Sequence, residues 1–174
     1  MRVWKARRFH AAVELATRHA AQTADPSGAI AIRASAKLRL AQLGRPWLIP
    51  DALGDYRTVW RAREKHGATA SAVGEALVEY GFAQFQVRSR IHIGEGAALR
   101  RMREGVRLLE SDASPERIGF LVRGKRKFAH ALAQAGRHDE AASEQRAADE
   151  LGRLHGILGQ LNSDEERERR GSAE

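Results

Sequence analysis

The chain has 174 residues, of which 43% are hydrophobic and 30% are charged. This is the composition of a folded globular domain, and it excludes a chain that is disordered throughout. There are no cysteines, which excludes disulfides, thiolate metal sites and a cysteine nucleophile. No apolar run approaches the roughly 20 residues of a membrane span, and the charged N-terminus lacks the apolar core of a secretory signal, so we expect a cytoplasmic protein.

The net charge of +8 is unevenly distributed. Residues 1–127 carry 24 basic and 12 acidic side chains, whereas residues 128–174 carry 6 basic and 10 acidic ones. The chain is therefore a basic body followed by an acidic C-terminal segment. Arginine accounts for 25 of the 30 basic residues, which suits bidentate contacts with carboxylates or phosphates. The alternative interpretation is a solvated, arginine-rich surface without a partner.

Strong helix formers dominate the chain, and no segment alternates apolar and polar residues over more than a few positions. The pattern predicts an all-α fold without strands. Seven helices are predicted, at about residues 3–21, 27–43, 50–67, 69–90, 97–109, 114–135 and 140–161. Ser114 is predicted to cap the sixth helix, with Pro115 in its first turn. Residues 1–161 then form a single domain, and residues 162–174, which lack an apolar face, form a disordered charged tail.

The sixth and seventh predicted helices carry the pattern of a helical repeat. In such a hairpin, small residues let the two backbones approach, bulky neighbours fill the gaps, and a glycine permits the turn. The matching residues are Phe128, Ala129, Leu132, Gly136, Ala141 and Ala148. This hairpin resembles the tetratricopeptide repeat, although Gln145 stands where that family usually has a bulky apolar residue.

Weaker matches lie upstream, where Ala12, Gly81 and Ala98 are assigned the same packing role. The small residues Ala34, Gly81 and Ala129 are 47 and 48 positions apart, whereas the family's unit is about 34 residues long. The chain is therefore interpreted as a degenerate, long-unit form of the repeat. The alternative is an unrelated, alanine-rich helical bundle.

The resemblance implies an antiparallel array of helix hairpins whose first helices line a concave, partner-binding surface. It also implies a protein–protein interaction module without catalytic activity, acting as a scaffold, an adaptor or a regulatory domain of the kind found in bacterial regulators. The residues expected in the groove are Phe82, Phe85, Gln86, Ser89, Arg123, Arg126, Lys127, His130 and Gln134. A basic groove with an aromatic floor suits an acidic peptide or protein. The alternative is that Phe82 and Phe85 belong to the core and the basic run is solvated.

Two features predict self-association. The first helix resembles a second repeat helix that lacks its partner, so a second chain could cover its exposed apolar face. The heptad spacing of Ala147, Leu151, Leu154, Leu158 and Leu161 predicts either packing on the sixth helix or pairing in a homodimer.

Other functions have less support in the sequence. The basic body makes a nucleic-acid-binding protein the alternative function, but no helix-turn-helix is recognisable and aromatic residues are only 6% of the chain. The seven histidines form no ligand pair at helical spacing, so we expect no metal site, no cofactor and no catalytic residues. The glycines at 94 and 96 do not form a phosphate-binding loop, since no strand precedes them.

Overall fold

The computed structural model describes residues 2–91 and 94–156, and over these ranges the chain is all-α, as predicted. Seven α-helices and one short 3₁₀-helix follow one another: α1 (Arg2–Gln22), α2 (Ser27–Gln42), the 3₁₀-helix (Pro46–Leu48), α3 (Ile49–Lys65), α4 (Ala70–Ile91), α5 (Glu95–Ser111), α6 (Ile118–Gln134) and α7 (His138–Leu154). α7 ends at Leu154, followed by Gly156 with φ = 65°, so the predicted continuation of this helix to about residue 161 is wrong. The predicted tail lies outside the described residues. No helix among the described residues combines the length and apolarity needed to cross a bilayer.

The helices pack in sequence, α1 on α2, α2 on α3, α4 on α5 and α6 on α7, and α4 also contacts α6. One core cluster lies among α2, α3 and α4 and includes Tyr56 and Tyr80. A second cluster lies among α4 to α7 and includes Phe85, Met102 and Phe128. Because α4 contributes side chains to both clusters, it joins the two halves of the array.

α4 and α5 approach each other closely, because three glycines remove the side chains that would separate the backbones. A Cβ atom on Gly105 would lie 2.6 Å from the carbonyl oxygen of Gly74. A Cβ atom on Gly81 would lie 2.9 Å from the carbonyl oxygen of Ala98. Both distances are shorter than a van der Waals contact, so this crossing requires glycine.

The predicted turn between the last two helices has a glycine in the left-handed region. Gly136 has φ = 76°, and its N–H donates to the carbonyl of Ala133 at 3.1 Å. The N–H of Arg137 donates to the carbonyl of Leu132 at 2.9 Å. These two bonds form a Schellman motif, which ends α6 and satisfies its last carbonyls.

Several predicted helix boundaries differ from those of the structure. α6 begins at Ile118 instead of Ser114, and no side-chain hydrogen bond caps it. Residues 114–117 form a turn, because Arg117 reaches out to Asp112 and to the hydroxyl of Ser71 (2.8 Å) and so ties this segment to the start of α4. α5 begins at Glu95 and α7 at His138, each two residues before the predicted start. The 3₁₀-helix was not predicted.

Candidate functional site

Helices α4 and α6 lie side by side and run in the same direction. Two side-chain contacts join them, Glu79 with Lys127 and Phe82 with His130, and Thr69 contacts Arg117 just before the two helices begin. Each contact links residues 48 positions apart, so the register stays constant along the pair. The 48-residue spacing of the small residues Gly81 and Ala129 thus equals the offset between the residues that contact each other along α4 and α6.

Helix α2 lies on the other side of α4 and continues the surface that α4 and α6 form together. The side chain of Gln42 donates to Oε1 of Gln86 at 3.4 Å, and Arg90 donates to the carbonyl of Ala41 at 3.2 Å. The C-terminal ends of α2 and α4 are therefore adjacent. We call the combined surface the α2–α4–α6 face, and its residues are Ile32, Ser35, Arg39, Gln42, Glu79, Phe82, Gln86, Ser89, Arg123, Lys127, His130 and Gln134.

Beneath this face, Tyr56 of α3 lies between α2 and α4. Both Glu79 and Arg39 act on its hydroxyl electrostatically. Burial raises the pKa of Tyr56 to about 12. The phenol is therefore neutral at pH 7.

The centre of the face is an aromatic pair flanked by polar groups. The rings of Phe82 and His130 lie 6.1 Å apart, and the ammonium of Lys127 lies 5.7 Å from the Phe82 ring centre. The side-chain nitrogen of Gln134 lies 2.9 Å from Nε2 of His130. Lys127 also pairs with Glu79, so its charge is compensated within the face. Four of the predicted groove residues thus lie together.

Two arginines supply the uncompensated charge of the face. Arg123 is exposed, and its guanidinium lies 4.8 Å from the ring centre of Phe120. Arg39 is exposed and donates to the side chain of Gln42 at 3.3 Å. Within the described part of the chain, neither arginine meets a carboxylate. Both guanidinium groups can therefore take an anionic partner.

Two predicted groove residues lie elsewhere. Phe85 is fully buried among α4 to α7, with the guanidinium of Arg88 stacked 3.8 Å from its ring centre, so Phe85 is a core residue. Arg126 turns towards α7, where it pairs with Asp149 at 3.1 Å and its side chain is 15% exposed. Side chains three positions apart on a helix point in directions that differ by about 60°. Phe85 and Arg126 therefore point away from Phe82 and Arg123, which precede them by three positions.

The remaining predicted groove residues, Gln86 and Ser89, are exposed on α4. The residues expected to pack the hairpins lie mostly in the interior: Gly81, Ala98, Phe128, Ala129, Leu132, Ala141 and Ala148 are buried. Ala12 is half-buried on α1. The small side chains thus lie where neighbouring helices approach each other.

Of the residues expected at a self-association surface, some are exposed and others pack against the core. Trp4 and Leu15 on α1 are 50% and 59% exposed, and α1 buries only Ala16 among its described side chains. On α7, Leu151 packs against the core, whereas Leu154 is 64% exposed. The last two leucines of the heptad, at positions 158 and 161, lie outside the described residues.

The structure contains a cleft that the sequence does not predict. A cleft of about 550 Å³ lies between α3, α4 and α5, with Trp60 and Leu77 among its apolar residues and Arg100 and Arg101 at its edge. No sequence signal connects α3 with α5, since the cleft depends on how the three helices cross. Groups of three or more histidine and acidic side chains that could hold a metal ion are absent from the ranges that the structure describes.

The sequence matches no protein-family model, and neither curated proteins nor solved structures give a significant match. The tetratricopeptide-like kinship therefore stays a hypothesis, and it depends on the residues quoted for it.

Proposed function

We propose that the chain is a non-catalytic protein–protein interaction module that binds an acidic segment of a partner on its α2–α4–α6 face. The observation that carries the proposal is the position of Arg39 and Arg123 on one continuous face, on either side of the pair formed by Phe82 and His130. Guanidinium groups without a carboxylate partner can form charge-assisted hydrogen bonds with glutamate or aspartate side chains. The aromatic pair supplies apolar contact area between them.

The distribution of ion pairs favours a protein partner over nucleic acid. Many cations of the basic body are already paired within the protein, among them Arg33 and Lys37 with Asp55, and Arg63 with Glu75. Binding to a phosphate backbone depends on many cations that remain free to replace counterions. The free charge on the face is instead confined to a few positions, which matches a short acidic segment.

The test is a double charge reversal, Arg39→Glu with Arg123→Glu, in the full chain. Proteins captured by the tagged wild-type chain are identified by mass spectrometry, and the acidic segment of the main one is synthesised and titrated. We expect the double variant to bind this segment at least about tenfold more weakly, since two charge-assisted contacts become repulsive. Arg126 is unsuitable for this test because its reversal would break the pair with Asp149.

The matched control is Arg146→Glu with Arg153→Glu, which changes the net charge equally at exposed positions of α7. This control is expected to keep the wild-type affinity. Equal affinity of the double variant and the control would contradict the proposed face. Captured nucleic acid whose binding falls steeply with salt would support the alternative function instead.

A further inference from the structure

The cleft between α3, α4 and α5 is separate from the α2–α4–α6 face. On α4 its walls are formed by Val73 and Leu77, which point away from Phe82 and Gln86 around the helix axis. Trp60 of α3 and Leu108 of α5 add further apolar surface. A cleft of about 550 Å³ falls within the range of small-ligand sites, which are mostly apolar with a few polar groups.

Arg101 is fixed at the edge of this cleft by buried groups. Its Nη1 donates to Oε1 of Gln84 at 2.8 Å, and Gln84 is only 2% exposed. Its guanidinium lies 5.5 Å from the ring centre of Tyr80, which stacks in turn on Trp60 with ring centres 6.1 Å apart. The side chain is therefore held in place before any ligand arrives, which lowers the entropic cost of binding.

Arg101 nevertheless lacks a counter-ion. In residues 2–91 and 94–156 its acceptors are the side chain of Gln84 and the carbonyl of Ala97, and no carboxylate pairs with it. Its Nε–H and Nη2–H₂ groups stay available in the planar fork that matches a carboxylate. Arg100 precedes it, lines the same cleft and also has no carboxylate partner in these ranges.

The acidic residues of the cleft limit what the arginines can bind. The carboxylate of Glu104 is already held by Arg107 through two hydrogen bonds of 2.8 and 3.1 Å. Glu64 lies across the cleft on α3. A second negative charge on a ligand would approach Glu64, so the arrangement favours a ligand with a single carboxylate.

We propose that this cleft binds a monocarboxylate with an apolar body. Arg101 and Arg100 hold the carboxylate, and Trp60, Leu77 and Leu108 contact the apolar part. Two sources share this chemistry: a free small acid, and the C-terminal residue of a peptide that ends in an apolar side chain. The site is independent of the proposed function, because its residues do not belong to the α2–α4–α6 face.

The probes are N-acetyl-leucine, N-acetyl-phenylalanine and the corresponding amides, which lack the charge. They are titrated into the full ¹⁵N-labelled chain by calorimetry and NMR. We expect the acids to bind at least tenfold more tightly than the amides and to shift the indole N–H signal of Trp60, while the signals of Trp4 and Trp47 stay unchanged. Peptides that end in leucine with a free carboxylate separate the two sources: tighter binding than the free acid assigns the site to a chain terminus.

Arg101→Gln is expected to weaken binding of the acids at least tenfold. Its matched control is Arg103→Gln, which removes the same charge from α5 at a side chain that pairs with Glu140 of α7. If Arg101→Gln lowers the folded fraction, the exposed Arg100→Gln replaces it, with weaker binding again expected. Equal binding of acids and amides, wild-type affinity in the arginine variants, or no binding at 10 mM probe would each overturn the proposal.

Discussion

The phenol of Tyr56 is an internal probe of how tightly α2, α3 and α4 pack. Its pKa is raised to about 12 in the folded chain by burial, against about 10 in an unfolded chain. The unfolded state therefore releases this proton at lower pH than the folded state does. The contribution of Tyr56 to stability is fully present below pH 10 and is lost as the pH rises from 10 to 12.

We expect the free energy of unfolding to fall by up to about 3 kcal/mol over this range, as measured by urea denaturation at stepped pH. Spectrophotometric titration of the folded chain should show a phenol that ionises near pH 12, and Tyr56→Phe should remove this step. A titration in which both phenols ionise near pH 10 would contradict the buried position of Tyr56.

Asp112 connects the start of α4 with the segment before α6. Its carboxylate accepts the backbone N–H of Ser71 at 3.1 Å and pairs with Arg117. The backbone N–H of Ser71 is the main cause that holds the pKa of Asp112 below its ordinary value, with Arg117 acting in the same direction. A lowered pKa means that this contact stabilises the fold at neutral pH and weakens as the pH falls below about 4.

Asp112→Ala is therefore expected to lower the Tm at pH 7, with a difference from wild type that shrinks towards pH 2. Thermal unfolding followed by circular dichroism measures both values. Glu116→Ala is the control, since Glu116 is exposed in the same connection and should leave the Tm near its wild-type value. A difference that is the same at both pH values would show that the carboxylate charge is not involved.

For individual residues, part of the candidate site could be predicted from the sequence. Phe82, Lys127 and His130, which the repeat resemblance assigned to one groove, lie together because the helical period brings Lys127 and His130 to one side of α6, next to Phe82 of α4. Phe85 and Arg126 were wrongly assigned to the groove, because the sequence does not show how much of a helix surface is buried. α4 packs against neighbours on several sides, so the rotation of about 60° between Phe82 and Phe85 is enough to separate the α2–α4–α6 face from the core. Whether a residue of α4 or α6 is buried or exposed depends on the helices that pack against it.

Among the elements, the α4–α5 contact depends most on particular residues. A Cβ atom on Gly105 would also lie 2.8 Å from Cγ2 of Val78, in addition to its overlap with the carbonyl oxygen of Gly74. Gly105→Ala is expected to lower the free energy of unfolding by about 3 kcal/mol, since backbone atoms cannot move aside cheaply. Urea denaturation measures this change.

The matched control is Gly54→Ala in α3, where a Cβ atom would meet nothing within 4 Å. Alanine there should raise the free energy of unfolding by about 0.5–1 kcal/mol through helix propensity. If both substitutions stabilise the protein, the close approach of α4 and α5 is not as described.

The elements themselves were predictable, because helix-forming composition and punctuation by glycine and proline act locally. The start of α6 was not predictable, although Ser114 and Pro115 form a good local signal for a helix start. The tertiary contacts of Arg117 with Asp112 and Ser71 override that signal. The 3₁₀-helix at Pro46–Leu48 is too short to have a periodicity of its own.

In the described part of the molecule, exposed apolar side chains are concentrated near the start of the chain. Of the six large apolar side chains exposed there, four lie within the first 48 residues: Trp4, Leu15, Ile32 and Trp47. We expect the chain to self-associate through α1, because an exposed apolar face is stabilised by burial against another chain. Light scattering over a range of concentrations should show a mass above 19.2 kDa that falls in the Trp4→Gln, Leu15→Gln variant. A wild-type chain that stays monomeric at high concentration would contradict this expectation.

Photo-crosslinking can test whether the α2–α4–α6 face binds the partner. The most direct measurement places a photo-crosslinking amino acid at Gln86 or Ser89 on this face, and at Thr58 of α3 or Ser143 of α7 as exposed controls. We expect Gln86 and Ser89 to cross-link to one acidic segment of the same partner, and we expect Arg39→Glu with Arg123→Glu to abolish these products. Cross-links that form equally well from Thr58 and Ser143, or that survive the double charge reversal, would contradict the proposed face.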